Sequence, residues 1–354
     1  MNGPGDQAAP RETAEWDDRY DALLEGRREA TFFHTRAWAR TVTAAFPQLR
    51  DDARILTAGG EPCALPLFRW QRLGGLLTTW HSSFPFLYGG PVPARPAAWK
   101  ALDALLERVG GSVILVGNPF AALAPQAEPA SGPPEARAIG QGCPESAGRE
   151  SLSVAMAASL QRGVETTHLL TLPTSVEAYW RDVLTTRKRN DIRRLTRKGV
   201  TVEISEAPAD LEAVYQLYQR RMATWEQRPQ LIYPLNLYRE MIARGQGAAR
   251  CYVARYEEKV IGGTFVIRWN GIVHYNAGYF DDRARALRPN VLIQERIIRD
   301  AIEDGFRIYD MLPSAGLAKV AAFKESFGGR PVHFPRWERL GRGHRWRSAW
   351  RRRR

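Results

Sequence analysis

The chain has 354 residues, enough for two domains of ordinary size at roughly 150 residues each, both able to bury a core. With 44% hydrophobic and 10% aromatic residues it belongs with globular proteins, which excludes disordered, collagen-like and coiled-coil chains. A net charge of +13, from 51 basic and 38 acidic residues, points to anionic partners such as RNA, anionic lipid or phosphorylated substrates. The excess is uneven: eight arginines and no acid follow Glu338, so 13 minus 8 leaves 5 for everything before.

No stretch approaches ~18 uninterrupted apolar residues, and the polar segment Met1 to Glu15 lacks an apolar signal core, so a cytoplasmic chain is expected. Cys63, Cys143 and Cys251 are odd in number, far apart and without C-x-x-C spacing, which predicts reduced thiols rather than disulfides or a zinc ribbon.

Periodicity and breakers predict helices over 12–24 and 35–46, strands over 54–58, 64–70 and 76–80, a helix over 97–109 and a buried strand over 112–116. Glycine turns separate the three strands into a meander. The stretch from Ala121 to Gly163 is rich in Ala, Pro, Gly and Ser and reads as an irregular connector. Order resumes with a strand over 168–172. Thr174 and Glu177 make a capping-box signature for one long helix to Lys198, stopped by Gly199. A strand over 200–204, helices over 210–225 and 237–244, and strands over 249–256, 260–269 and 272–279 follow. A helix over 290–304, a strand over 306–312, a short helix over 317–327 and a strand over 332–338 end the pattern. The order ααβββαβ thus occurs twice, giving an α/β fold with a mixed sheet in two similar halves, residues 1–120 and 166–340, with a connector at 121–165 and an Arg/Trp-rich tail at 341–354.

That element order resembles the GNAT acyltransferase fold. Doubled in one chain, it is similar to the Fem family of peptidoglycan-bridge aminoacyltransferases and their FemAB-like relatives. The resemblance is carried by the run from Arg187 to Val200, Tyr275 to Tyr279, Arg288-Pro289-Asn290, Gly305 to Asp310 and Phe323-Lys-Glu-Ser-Phe-Gly328, with His34 to Phe46 and Tyr88-Gly-Gly-Pro91 in the first half. It implies amide formation between an activated carboxyl group and an amine, with aminoacyl-tRNA or acyl-CoA as cosubstrate, no other cofactor, and an amine-bearing acceptor of cell-envelope or natural-product chemistry. Acyl-CoA users of the GNAT fold carry a glycine-rich loop whose N–H groups cradle the pyrophosphate at a helix N-terminus. The corresponding loop here, Ala286 to Val291, has no glycine, and Pro289 has no N–H. Aminoacyl-tRNA is therefore the favoured donor. An acyl-CoA N-acyltransferase and a noncatalytic RNA- or lipid-binding protein are the alternatives.

Amide formation asks for alignment, an amine without its extra proton, and stabilisation of an oxyanion, so the lack of a hydrolase triad, HExxH, P-loop or GxGxxG motif fits it. Lys324, matching the lysine of the family's closing motif, is the leading candidate for a cation at a phosphate or oxyanion, with a surface lysine on a short helix as the plain alternative. Tyr275 and Tyr279, expected on one strand face, could donate a proton and wall the substrate; core aromatics are the plain alternative. Asp310, at the end of an apolar strand, could orient the amine or accept its proton, or simply bond a turn. Arg189, Arg193 and Arg197, spaced by four, would line one helix face against phosphates, or form an ordinary solvated face. Tyr88, Gly89 and Gly90 resemble the loop beside the acceptor groove, or form a plain turn, with Trp80 and His81 as weaker neighbours. The interleaved arginines of the tail, with Trp346 and Trp350, suit peripheral contact with an anionic membrane or RNA.

Overall fold

The computed structural model describes residues 13–84, 87–121, 160–224, 231–314 and 316–341. Thirteen strands occur among them: β1 (Leu49–Asp51), β2 (Arg54–Ala58), β3 (Glu61–Leu65), β4 (Phe68–Arg72), β5 (Leu77–His81), β6 (Ser112–Val116), β7 (Gln161–Thr171), β8 (Thr201–Ile204), β9 (Ala249–Tyr256), β10 (Lys259–Trp269), β11 (Ile272–Phe280), β12 (Ile308–Asp310) and β13 (Arg330–Arg339). The principal helices are α1 (Ala14–Ala22), α2 (Arg36–Ala45), α3 (Pro96–Arg108), α4 (Thr186–Thr196), α5 (Pro208–Thr224), α6 (Leu235–Arg244), α7 (Pro289–Glu303) and α8 (Ala318–Glu325). The α/β architecture with a mixed sheet is as the sequence predicts.

Eleven strands form one sheet in the order β1-β4-β5-β6-β13-β7-β12-β11-β10-β9-β8, and β2 and β3 form a separate hairpin. The last strand, β13, lies between β6 and β7 and pairs antiparallel with both. The two halves of the chain therefore share an unbroken hydrogen-bonded ladder. Helices cover both faces: α2, α5 and α6 bury Trp38, Val42, Val214, Tyr218 and Met241 in one apolar layer, while α4 and α7 bury Ile192, Leu195, Ile293 and Ile297 in another.

Three local expectations need correction. The strand expected over 64–70 is two strands, because Pro66 cannot donate to a ladder; β3 pairs with β2, and β4 pairs with β1 and β5. The strand expected to begin at His168 begins at Gln161, paired along β13; residues 122–159 of the expected connector lie outside the described residues. The single helix expected over 174–198 is interrupted. Ser175 caps a short turn that widens into a π-helical segment over Tyr179–Val183, Leu184 is extended and buried, and Thr185 then caps α4.

Candidate active site

Asp310 ends β12, with His274 of β11 beside it in parallel register and Leu169 of β7 opposite. Its carboxylate has no solvent exposure, and a charge in that setting persists only with hydrogen bonds around it. Four donors supply them. The hydroxyls of Thr167 and Tyr88 donate to Oδ1 at 2.6 and 3.2 Å, the Leu312 N–H donates to the same oxygen at 3.0 Å, and His274 Nδ1 lies 2.8 Å from Oδ2. Tyr88 comes from the first half and the rest from the second, so the carboxylate joins the halves. Burial, then the Asp310 charge, raises the Tyr88 phenol well above its ordinary value, which keeps it a donor. His274 is also fully buried, ringed by Phe33, Phe120 and Tyr88 at centroid distances of 4.8, 5.8 and 6.0 Å.

Lys324 projects from α8 into the same neighbourhood. It is 4% exposed, and its ammonium donates to the carbonyl of Leu312, two residues beyond Asp310. Burial pushes its pKa down to about 8 against the opposing pull of Asp310, so at neutral pH it is a cation in a poorly solvated place. His168 borders it: Nε2 sits 3.6 Å from Glu325, and burial, then the Lys324 charge, hold the imidazole below its ordinary pKa. Lys188 of α4 is buried against α8, its ammonium 4.4 Å from the centroid of Phe327 and 5.6 Å from that of Phe323.

The structure thus brings Asp310, Lys324 and Tyr88 together and adds His274, Thr167 and His168, which sequence reasoning missed. No spacing signal could have found them, since β7 and β11 meet Asp310 only through β12. Gly89 and Gly90 owe their identity to packing: a Cβ at Gly89 would lie 2.5 Å from the Ser82 carbonyl oxygen, and Gly90, at φ +96°, abuts Trp99.

Tyr275 and Tyr279 do not share a face. The register between β10 and β11 shifts between the Asn276–Phe265 and Gly278–Thr264 pairs, and this irregularity turns the strand over. Tyr275 joins the α7 side of the sheet, its hydroxyl folded so closely over Gly278 that a Cβ there would lie 2.0 Å from it. Tyr279 joins the opposite layer, 5.0 Å from Tyr218.

Arg189, Arg193 and Arg197 are likewise not three free guanidinium groups. Arg189 Nη1 donates to the carbonyls of Trp180, Arg181 and Leu184 at 2.6 to 3.1 Å, satisfying the backbone left open by the helix interruption. Arg193 lies over Trp180, and Arg197 bonds back to the Arg193 carbonyl. The loop before α7 is closed as well. Arg288, left-handed at φ 45°, pairs with Asp191 of α4, Lys198 donates to the Ala286 carbonyl at 3.2 Å, and Val291 N–H returns to the Arg288 carbonyl at 2.9 Å.

Residues 185–325 match the acetyltransferase (GNAT) domain family. Among solved structures, the chain is similar to FemX, with a TM-score of 0.59 at 12% identity over 92% of this chain and 96% of that one. It is also similar to the C-terminal domain of a proposed lysylphosphatidylglycerol synthetase from Agrobacterium fabrum (TM-score 0.53, 13% identity, 93% and 92% covered). L-PGS from Bacillus licheniformis aligns with a TM-score of 0.51 at 13% identity, over 96% and 94% of the two chains. No curated protein matches it. The chain is similar to FemX in fold, and its residues 185–325 match the GNAT acetyltransferase domain.

Proposed function

We propose that this chain joins the activated carboxyl group of an aminoacyl-tRNA to an amine. The GNAT domain carries the coarser statement, acyl transfer. The observation behind the finer one is the buried Lys324 ammonium beside the Asp310 network, together with a closed, glycine-free turn before α7. Pro289 opens that helix without an N–H, and Val291 N–H is bonded within the turn, so the backbone offers a diphosphate little. A donor recognised through its RNA does not need that cradle, and aminoacyl-tRNA is the donor of the Fem family that the chain resembles.

In this reading the neutral amine attacks the ester carbonyl carbon, and the C–N bond forms as the carbonyl π pair moves onto oxygen. The Lys324 ammonium stabilises that oxyanion. His168, held neutral near pH 7, takes the proton that the amine nitrogen sheds. Collapse of the intermediate breaks the C–O bond, and the ribose oxygen leaves with the proton from His168. Asp310 is a positioning residue: it fixes the 310–312 turn whose carbonyl holds Lys324.

Purified protein incubated with tRNA charged with labelled amino acids and a panel of amines should transfer the label to the amine, and RNase should abolish transfer. Acetyl transfer from acetyl-CoA that RNase leaves untouched would replace this reading with the acyl-CoA one.

A further inference from the structure

Glu325 is the last residue of α8, directly after Lys324. Lys324 is buried, whereas the Glu325 side chain is 54% exposed. Hydrogen bonds past the helix end fix the backbone here. Phe327 and Gly329 N–H donate to the Lys324 carbonyl at 3.1 and 3.2 Å, and Gly328 N–H donates to that of Glu325 at 2.9 Å. Position 329 needs glycine, because a Cβ there would lie 3.0 Å from the Lys324 carbonyl oxygen and 3.3 Å from His168 Cβ. The chain therefore turns close against β7, and Glu325 is brought to His168.

Glu325 Oε1 lies 3.6 Å from His168 Nε2, too far for a direct hydrogen bond. His168 Nδ1 is enclosed without a partner, so Nε2 is the edge a substrate can reach. Burial, then the Lys324 charge, keep the imidazole neutral at pH 7. With its proton on Nδ1, it turns a lone pair toward a carboxylate that also only accepts. These two acceptors cannot satisfy each other, and one ammonium nitrogen about 3 Å from each can donate an N–H to both. Asp310, the other carboxylate whose charge reaches His168, has no solvent exposure, and β13 places the uncharged Pro331 opposite His168. Of the two carboxylates, Glu325 is the one an arriving cation can touch, and it offsets the repulsion of Lys324.

We propose that Glu325 recognises the acceptor as a primary ammonium, which bridges the Glu325 carboxylate and His168 Nε2. Its part in turnover rests on the acyl-transfer reading above; the cation site itself does not. The docked ammonium first loses one proton to solvent at the exposed Glu325 edge. The neutral amine, still donating one N–H to Glu325, attacks the ester carbonyl. Its next proton passes to His168 and then to the leaving ribose oxygen, so each amide formed releases one proton to solvent. A charge-assisted hydrogen bond to the carboxylate is stronger than a neutral one, which makes Glu325 a selector for amines that arrive charged.

The binding test is imidazole NMR of the full chain across pH, with and without n-butylammonium, the His168 signals being assigned by their loss in His168→Gln. The probe should shift His168 and lower its pKa, because a second cation then stands beside it. Tetramethylammonium, which has no N–H, should do neither. Glu325→Gln should weaken n-butylammonium binding about tenfold, and Glu325→Asp should restore part of it. In the transfer assay Glu325→Gln should raise KM for an alkylamine acceptor about tenfold, with a smaller change in kcat. Methoxyamine, uncharged at pH 7, should be unaffected. An unchanged melting temperature verifies that the variants are folded. Equal n-butylammonium binding by Glu325→Gln and the parent, or equal shifts with the two cations, would overturn the proposal. Absence of transfer from every donor, with n-butylammonium still held through Glu325, would sink the acyl-transfer reading and leave the cation site standing.

Discussion

Strands β7 and β13 run side by side from the pair Gln161–Glu338 to the pair Leu169–Arg330, and their two ends are opposites. At the Leu169 end a carboxylate, two histidines, a lysine and two hydroxyl side chains are buried, each placed by hydrogen bonds or ion pairs. At the Gln161 end of the sheet Leu73, Leu76 and Leu340 are exposed. Eight residues of strand, about 27 Å, separate them. Both ends depart from the ordinary rule that apolar groups are inside and charges outside, and such departures cost stability unless they do something. The polar end pays in desolvation for a perturbed lysine, while at the other end Leu73 and Leu76 stand 64% and 84% exposed.

The polar end should be the fragile one. Asp310→Ala removes the acceptor of Tyr88, Thr167, Leu312 N–H and His274 at once, and should destabilise the chain by about 3–5 kcal/mol, read from urea denaturation. A loss below about 1 kcal/mol would mean that water enters and satisfies the network, so that this end is not truly buried.

Lys324→Met should lower turnover about a hundredfold or more, the effect of losing one oxyanion donor, without lowering the melting temperature. The lysine's pKa of about 8 gives two signatures. Turnover should fall as pH rises through about 8, where the ammonium loses its charge, and this limb should move upward in Lys324→Arg. The unfolded chain binds the lysine proton up to about 10.4, so stability should rise between about 8 and that value in the parent and not in Lys324→Met. A turnover limb that persists unchanged in Lys324→Arg would detach Lys324 from the chemistry.

Acid reaches the interior by another route. Burial holds His34 and His81 down to about 4, so both are neutral in the folded chain, while the unfolded chain takes up their protons near 6.5. Their contribution is fully present above about 6.5 and is lost as pH falls toward 4. Urea midpoints measured from pH 7.5 to 5 should fall, and His34→Gln with His81→Gln should flatten the slope. An equal slope in the double variant would place the acid sensitivity elsewhere.

The elements of this contrast were unequally legible in the sequence. Strands β9 to β11 and helices α2, α3 and α7 follow from periodicity and turn residues because their signals are local. The insertion of β13 between β6 and β7 is a pairing across more than two hundred residues on one side, and nothing in 330–339 encodes it. Asp310 and Lys324 stood out by type and position, but Thr167, His168 and His274 look like any strand residues until β12 places them. A single register irregularity in β11 was enough to separate Tyr275 from Tyr279, which strict alternation put together. The break before α4 was hidden because Arg189, read as a phosphate ligand, supplies the hydrogen bonds that make the break tolerable.

The sharpest use of the contrast is to perturb both ends at once. Leu73 and Leu76 are 64% and 84% exposed, so Leu73→Asn with Leu76→Asn should change stability by no more than about 0.5 kcal/mol. Residues that far apart with no shared partner should act independently, so adding the pair to Asp310→Asn should give a sum within about 0.5 kcal/mol of the separate effects. Activity on a soluble acceptor should follow Asp310 alone. Coupling above that margin would mean that β7 and β13 transmit strain from one end to the other, and the two ends would then be one device.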